Sequence, residues 1–202
     1  MTCYVLTRTS KRPKAFARLR NSLRKQTYPH IVHVVHSDEP TDTYVRGDIV
    51  LHSPRLRATP NSTFPWGVYV ATMLAHIKSH CGEGWVTFMD DDDVYVNHTA
   101  VERMMQYASH PDRMPVWKTI RENNRISPER FGAPLDAPEG RICWESSMHH
   151  TNHIGRVEID GNCGSDGRYW ARMSEFLRVV WVDEVFARPQ AGKGNGKRKD
   201  VP

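Results

Sequence analysis

The stretch Gly84 to Val96, GWVTFMDDDDVYV, constrains the fold more than any other part of the chain. Trp85 to Met89 is a short apolar run with β-branched and aromatic members. Such a run reads as a strand buried on both faces, as at the centre of an α/β sheet. It passes straight into four carboxylates, Asp90, Asp91, Asp92 and Asp93, with no Lys or Arg close in sequence. Like charges crowded at a strand end repel one another, and a hard divalent cation, Mg²⁺ or Mn²⁺, relieves them with oxygen ligands. In open α/β sheets, ligands bind beyond the carboxyl ends of the strands, where this cluster falls. If the backbone stays extended, Asp90 and Asp92 point to one side and Asp91 and Asp93 to the other. A merely solvated acidic turn is the alternative, and a poor continuation for a strand buried on both faces.

The segments before it complete a βαβ pattern. Cys3 to Thr7 reads as a strand and Arg8 to Arg12 as the polar loop at its carboxyl end. Pro13 suits the first turn of a helix, continued by Phe16, Leu19 and Leu23 at helical spacing, with Arg18, Arg20, Arg24 and Lys25 facing water. Strands follow at Ile31 to Val35 and Asp48 to Leu51, so a right-handed parallel unit is expected. Val70, Met73, Leu74 and Ile77 mark a helix from about Trp66 to His80. After the acid cluster, Thr99 and Glu102 form a capping-box pattern before Val101, Met104, Met105 and Ala108. The region Asp112 to Ser147 has no sustained period, and short strands are expected at Met114 to Ile120 and Arg141 to Ser146. Beyond it, GNCGSDG (Gly161 to Gly167) reads as a turn leading into a helix with Tyr169, Trp170, Met173, Phe176 and Leu177, and RVVWV (Arg178 to Val182) as the last strand. His149, His150 and His153 match no standard helical ligand spacing, so metal binding is the lesser reading for them.

The 202 residues fit one domain with a tail. The net charge of +5 is local rather than general. Arg8 to Lys25 is basic without an acid, the tail AGKGNGKRKDVP (191–202) is basic with almost no apolar content, and the remainder is net acidic. This distribution argues against a nucleic-acid coat and suits a phosphate-bearing ligand. The tail is expected to be mobile. No apolar run reaches the length of a transmembrane segment, the first residues lack a signal-peptide pattern, and the four cysteines form no CxxC pair. Together these point to a cytoplasmic protein with reduced thiols.

The order of these features resembles the GT-A fold nucleotide-sugar glycosyltransferases, most closely the inverting family-2 type. The resemblance rests on Thr7 to Pro13 (TRTSKRP), Gln26 to Pro29 (QTYP) and Val34 to Asp42 after the second strand. It rests further on the Asp-x-Asp-Asp pattern in Phe88 to Asp93, and on Gly164-Ser165-Asp166 before a helix carrying Trp170 and Arg172. Where the family usually has an Asp pair after its second strand, this chain has His36-Ser37, which leaves Asp38 as the contact for the base.

The resemblance implies an α/β, Rossmann-like single domain with a central, mostly parallel sheet flanked by helices. The domain would run over 1–190, with a donor half (1–97), an acceptor half (98–190) and the basic tail 191–202. It implies a nucleoside-diphosphate sugar donor, foremost a UDP-sugar, and a glycan, protein-glycan or lipid-linked acceptor. Thr7, Arg8, Thr9 and Asp38 would hold the nucleoside, Arg12 would add charge near the diphosphate, and Asp90 or Asp91 would touch the ribose. Asp92, with Asp90, would ligate the Mn²⁺ or Mg²⁺. Asp166 would be the general base, with Glu145, Glu158 and Asp160 next in line. Other readings are a metal-dependent nuclease or phosphoryl-transfer enzyme, and a non-catalytic nucleotide-sugar-binding module.

Overall fold

The alternation of short apolar strands with amphipathic helices builds a parallel sheet in the first half of the chain. The computed structural model describes residues 1–59, 66–121, 124–128, 131–132, 134–135 and 142–190. Strands β1 (Thr2–Thr9), β2 (Ile31–Ser37), β3 (Ile49–His52) and β4 (Gly84–Phe88) lie parallel, in the order β3-β2-β1-β4. Helix α1 (Pro13–Arg24) connects β1 to β2, and α2 (Trp66–His80) precedes β4. Every residue of β4 is buried, as a central strand covered on both faces requires. Phe16, Leu19 and Leu23 of α1 and Val70, Met73, Leu74 and Ile77 of α2 turn into the core at the expected helical spacing.

The second half is less regular. After β5 (Asp93–Tyr95) and α3 (Ala100–Tyr107) come β6 (Arg113–Ile120), β7 (Ile126–Ser127) and β8 (Met148–His150), then α4 (Ser165–Met173) and β9 (Arg178–Pro189). Strand β8 adds antiparallel to β4 and closes the first sheet. The others form a second sheet in the order β5-β9-β6-β7. Gly67, in the first turn of α2, lies against the chain at Asp160: a Cβ there would sit 2.3 Å from the Asp160 carbonyl oxygen, so only glycine fits. The later loop is thereby held beside α2. Among the described residues, no helix is long and apolar enough to cross a membrane.

Several expectations change. The acid cluster does not continue extended: the Asp93 N–H bonds to the Asp90 carbonyl at 3.0 Å and closes a turn. The capping box at Thr99 does not form. Thr99 Oγ1 donates to Asn97 Oδ1, Glu102 accepts from Thr27 Oγ1, and the Val101 N–H is taken by Gln26 Oε1 from the QTYP stretch. Trp144–Ser146 is a 3₁₀ turn rather than a strand. Helix α4 ends at Met173, leaving Phe176 51% exposed while Leu177 is buried. Strand β9 runs well past Val182: its register against β6 shifts after the Trp117–Val182 pair, Asp183 and Glu184 drop out of the ladder and reach outward to Lys118 and Arg103, and pairing resumes at Lys118–Val185. The tail 191–202 and Arg141, where a strand was expected to begin, lie outside the described residues.

Candidate active site

The carboxyl ends of β1, β2 and β4 meet at one edge of the sheet. Thr7 and Thr9, two apart on β1, lie on one face of the sheet and are both fully buried. Thr9, at the end of the strand, donates its hydroxyl to Asp91 Oδ2 at 2.8 Å, while Thr7, a step further in, meets His33 Nε2 at 3.1 Å. Thr7 is therefore engaged inside the sheet, away from the solvent-facing edge.

The turn at the end of β4 divides its four acids. Asp91 and Asp92 face the start of α1, where one guanidinium nitrogen of Arg12 pairs with Asp91 Oδ1 and the other with Asp92 Oδ2. The cation absent from the neighbouring sequence is thus supplied in space. Burial pushes the Asp91 carboxyl up to about 7, and Arg12 pulls the other way. Tyr44 braces the group: its hydroxyl accepts from the Arg12 N–H, lies 3.1 Å from Thr9 Oγ1 and donates to Asp42.

Asp90 and Asp93 face the opposite way, towards Glu145 in the 3₁₀ turn. One oxygen from each of Asp90, Asp93 and Glu145 lies within 4.8 Å of the others. Asp90 opens to solvent, Asp93 is half-buried and Glu145 is buried. The protein packed around its carboxyl, then the charges of Asp92 and Asp166, push Asp90 up to about 6 even though solvent reaches it. Burial and the neighbouring Asp90 push Glu145 up to about 7. Burial, then Glu145 and Asp90, raise Asp93 well above the usual carboxylate range. Three convergent carboxylates that resist ionisation together fit a hard cation, which takes oxygen ligands and favours the charged forms. Glu145 and Asp93 are the residues that the Asp-x-Asp-Asp pattern did not assign to the metal. Glu145 sits in a stretch without periodicity, which gives no sequence signal for its position.

Asp166 stands in the first turn of α4, entered through Gly164 at a φ of 75°, a left-handed conformation that favours glycine. Its Oδ1 accepts the Gly167 N–H at 2.8 Å, and burial raises its pKa. Its charge reaches Asp90, and Arg121 at the end of β6 lies among Glu145, Asp166 and Asp93. Arg121 is a further residue that sequence reasoning did not single out.

Asp38, just after β2, is 1% exposed, and neither of its oxygens has a hydrogen-bond partner among the described residues. Arg8 Nη1 is 3.6 Å from Asp38 Oδ2, and the Arg8 guanidinium lies 4.9 Å from the centre of the Trp66 ring. The His36 ring packs 4.7 Å from Tyr69 beside it. A buried carboxylate with open acceptors is costly unless a donor completes it. The three histidines are engaged separately: His149 Nε2 meets the Tyr169 hydroxyl at 2.7 Å, His150 Nδ1 accepts from Asn152, and His153 Nε2 meets the Pro111 carbonyl.

No family model matches the chain, and no curated protein matches it. Solved structures do. Residues 1–349 of TarS from S. aureus superpose with a TM-score of 0.67 at 18% identity, over 94% of this chain and 60% of that one. The same TarS fragment in complex with UDP-GlcNAc gives 0.65 at 17% identity, over 96% and 60%. The mannosyltransferase PcManGT from Pyrobaculum calidifontis, in complex with GDP-Man and Mn²⁺, gives 0.64 at 13%, over 94% and 58%. The chain has the GT-A fold of the nucleotide-sugar glycosyltransferases. It spans about 60% of the length of these structures.

Proposed function

We propose that the chain is a metal-dependent, inverting glycosyltransferase that moves a sugar from a nucleoside-diphosphate sugar to an acceptor hydroxyl. The observation that carries this reading is the convergence of Asp90, Asp93 and Glu145 at the carboxyl end of β4, with Asp166 on the next wall and the open acceptors of Asp38 at the end of β2. The fold supports it, as do the nucleotide sugars and Mn²⁺ named with the similar structures.

In this reading Asp38 accepts an N–H of the base, foremost uracil, and Arg8 and Trp66 flank the nucleoside. Thr9, Arg12, Asp91 and Asp92 form the wall beside the ribose and diphosphate, and Thr7 supports that wall from within. Asp90, Asp93 and Glu145 hold Mn²⁺ or Mg²⁺, with Asp92 at the rim. When bound, the ion offsets the charge that develops on the departing diphosphate. Asp166 takes the proton from the acceptor hydroxyl as its oxygen bonds to the anomeric carbon, and the bond from that carbon to the diphosphate oxygen breaks. Attack opposite the leaving group inverts the configuration. The raised pKa of Asp166 keeps it basic enough for this step. Residues 1–97 would be the donor half and 98–190 the acceptor half, the acceptor being a glycan, a protein-glycan or a lipid-linked sugar. Four free thiols, Cys3, Cys81, Cys143 and Cys163, suit a reducing, cytoplasmic compartment.

The test is calorimetric titration with UDP and with UDP-sugars, with and without Mn²⁺, followed by NMR of any transfer product. Mn²⁺-dependent nucleotide binding and an inverted product are expected. Binding indifferent to both metal and nucleotide would overturn the reading, and a product of retained configuration would overturn the inversion.

A further inference from the structure

We infer that Gln190, immediately after β9, is the positioning residue of the acid turn, holding its backbone so that Asp90 and Asp93 converge on Glu145. This rests on the reading of that cluster as the cation site. Strand β5 pairs antiparallel with β9 through Asp93 and Pro189, Val94 and Arg188, and Tyr95 and Ala187. Gln190 carries the pairing one step further, its N–H donating to the Asp92 carbonyl at 2.9 Å. Its side chain then folds back over the turn. Nε2 is shared among the carbonyls of Ala15 at 3.0 Å, Asp91 at 3.1 Å and Asp93 at 3.2 Å, and Oε1 accepts from Arg18 Nε. One residue thus takes three successive carbonyls of the turn and ties them to α1. Gln190 is 5% exposed, so water has little access to replace it.

The chemistry requires an amide. A turn bearing four carboxylates tends to spread, because its side chains repel. Holding its carbonyls costs no charge and leaves every carboxylate free for its own partner. A primary amide supplies the donors for the carbonyls and an acceptor for Arg18 in one group. A carboxylate at this position keeps the Arg18 contact and places oxygen against three carbonyl oxygens. An isosteric apolar side chain loses both contacts. Removing the donors leaves buried carbonyls unsatisfied, which loosens the turn locally.

The experiment compares Gln190→Met and Gln190→Glu with the native chain in two measurements. The first is amide hydrogen exchange at Asp93, whose N–H closes the turn. Both variants should exchange there about tenfold faster or more, while amides of β1 keep their protection. The second is titration of Mn²⁺ with UDP as the probe, alongside thermal melting. Both variants should lose about tenfold in Mn²⁺-dependent affinity at a temperature where each is fully folded, whatever the melting temperature loses to the unsatisfied carbonyls. A simple packing role would lower the melting temperature and leave the affinity of the folded protein intact. Rescue by Gln190→Glu would place the effect in the Arg18 bond and overturn the inference. Unchanged exchange at Asp93 would overturn it whatever the protein binds. If the native chain shows no Mn²⁺-dependent nucleotide binding, the functional reading fails, and the exchange result still decides whether Gln190 sets the turn.

Discussion

Asp91 and Asp92 face α1, Asp90 and Asp93 face Glu145, and the two pairs meet the same charge in different ways. On the α1 side, Arg12 is a built-in counter-ion with Thr9 and Tyr44 bracing it. On the Glu145 side a third acid is added, and burial together with the neighbouring acids raises the carboxyls, whereas Asp91 is raised by burial against the pull of Arg12. One side is complete as folded. In the proposed function the other is completed by a cation. The contrast shows how a run of identical residues acquires two roles: a single turn rotates half of them away from the other half, and the surroundings do the rest.

The largest effect expected from breaking the contrast is on the completed side. Arg12→Met strands the 2% exposed Asp91 without its cation. Removing one partner of a buried ion pair costs about 3 kcal/mol or more, to be read from the denaturant midpoint. The double variant Arg12→Met with Asp91→Asn should recover part of that loss, since the stranded charge goes too. A loss below about 1 kcal/mol would mean that Arg12 does not hold this side together.

On the other side the largest effect is on turnover. Asp166→Asn keeps an oxygen able to accept from the Gly167 N–H and so keeps the start of α4. It cannot accept the acceptor's proton, so transfer should fall by about 10²-fold or more while UDP binding stays. Near-normal turnover would remove Asp166 as the base and bring forward Glu158 and Asp160, since Glu145 is placed with the cation.

How much of this was open to inspection in the sequence follows the same divide. The strands and helices up to β4 were legible because burial on both faces leaves an unbroken apolar run and burial on one side leaves a helical period. The acids were legible as a group. Their division was not, because it depends on the turn closed between Asp90 and Asp93 and on partners brought from distant segments: Arg12 from the first loop, Glu145 from an irregular stretch, Gln190 from the chain after β9. The capping box at Thr99 failed for a related reason, since Thr27 and Gln26 offered tertiary partners that a local pattern does not anticipate.

The next prediction uses pH to sharpen the contrast. Glu145 is pushed from 4.5 up to about 7, so the unfolded chain releases this proton near 4.5 while the folded chain keeps it. Between these values the unfolded state binds fewer protons, and the contribution to stability falls as pH rises. Glu145→Gln removes that dependence. Without metal the variant should be more stable than the native chain at pH 7.5 by about 2 kcal/mol, with the gain vanishing near pH 4.5. His33, His36 and His149, each lowered to about 4 chiefly by burial, charge as pH falls and weaken the fold at the acid end. They do so in both proteins, so the difference between the melting curves isolates Glu145 and the Asp93 carboxyl that its charge raises. An equal gain at every pH would mean that packing, not ionisation, separates the two.

The smallest expected effect decides which acids hold the cation. The Asp-x-Asp-Asp pattern points to Asp92, and the structure gathers Asp93 with Asp90 and Glu145 while Asp92 stays with Arg12. Asp92 and Asp93 are adjacent, carry the same charge and differ in the direction that the turn gives them. Asparagine at either position removes the same charge with nearly the same shape. If long-range field alone matters, Asp92→Asn and Asp93→Asn should weaken Mn²⁺-dependent UDP binding alike. If direct ligation matters, Asp93→Asn should cost about tenfold more than Asp92→Asn, a difference of about 1.4 kcal/mol. Loss of Asp92 also frees one arm of Arg12, which stays paired with Asp91 through the other. Titration of each variant over one range of Mn²⁺ reads the difference directly. Equal losses, or a larger loss at Asp92, would return Asp92 to the ligand set and join the two sides of the turn into one site.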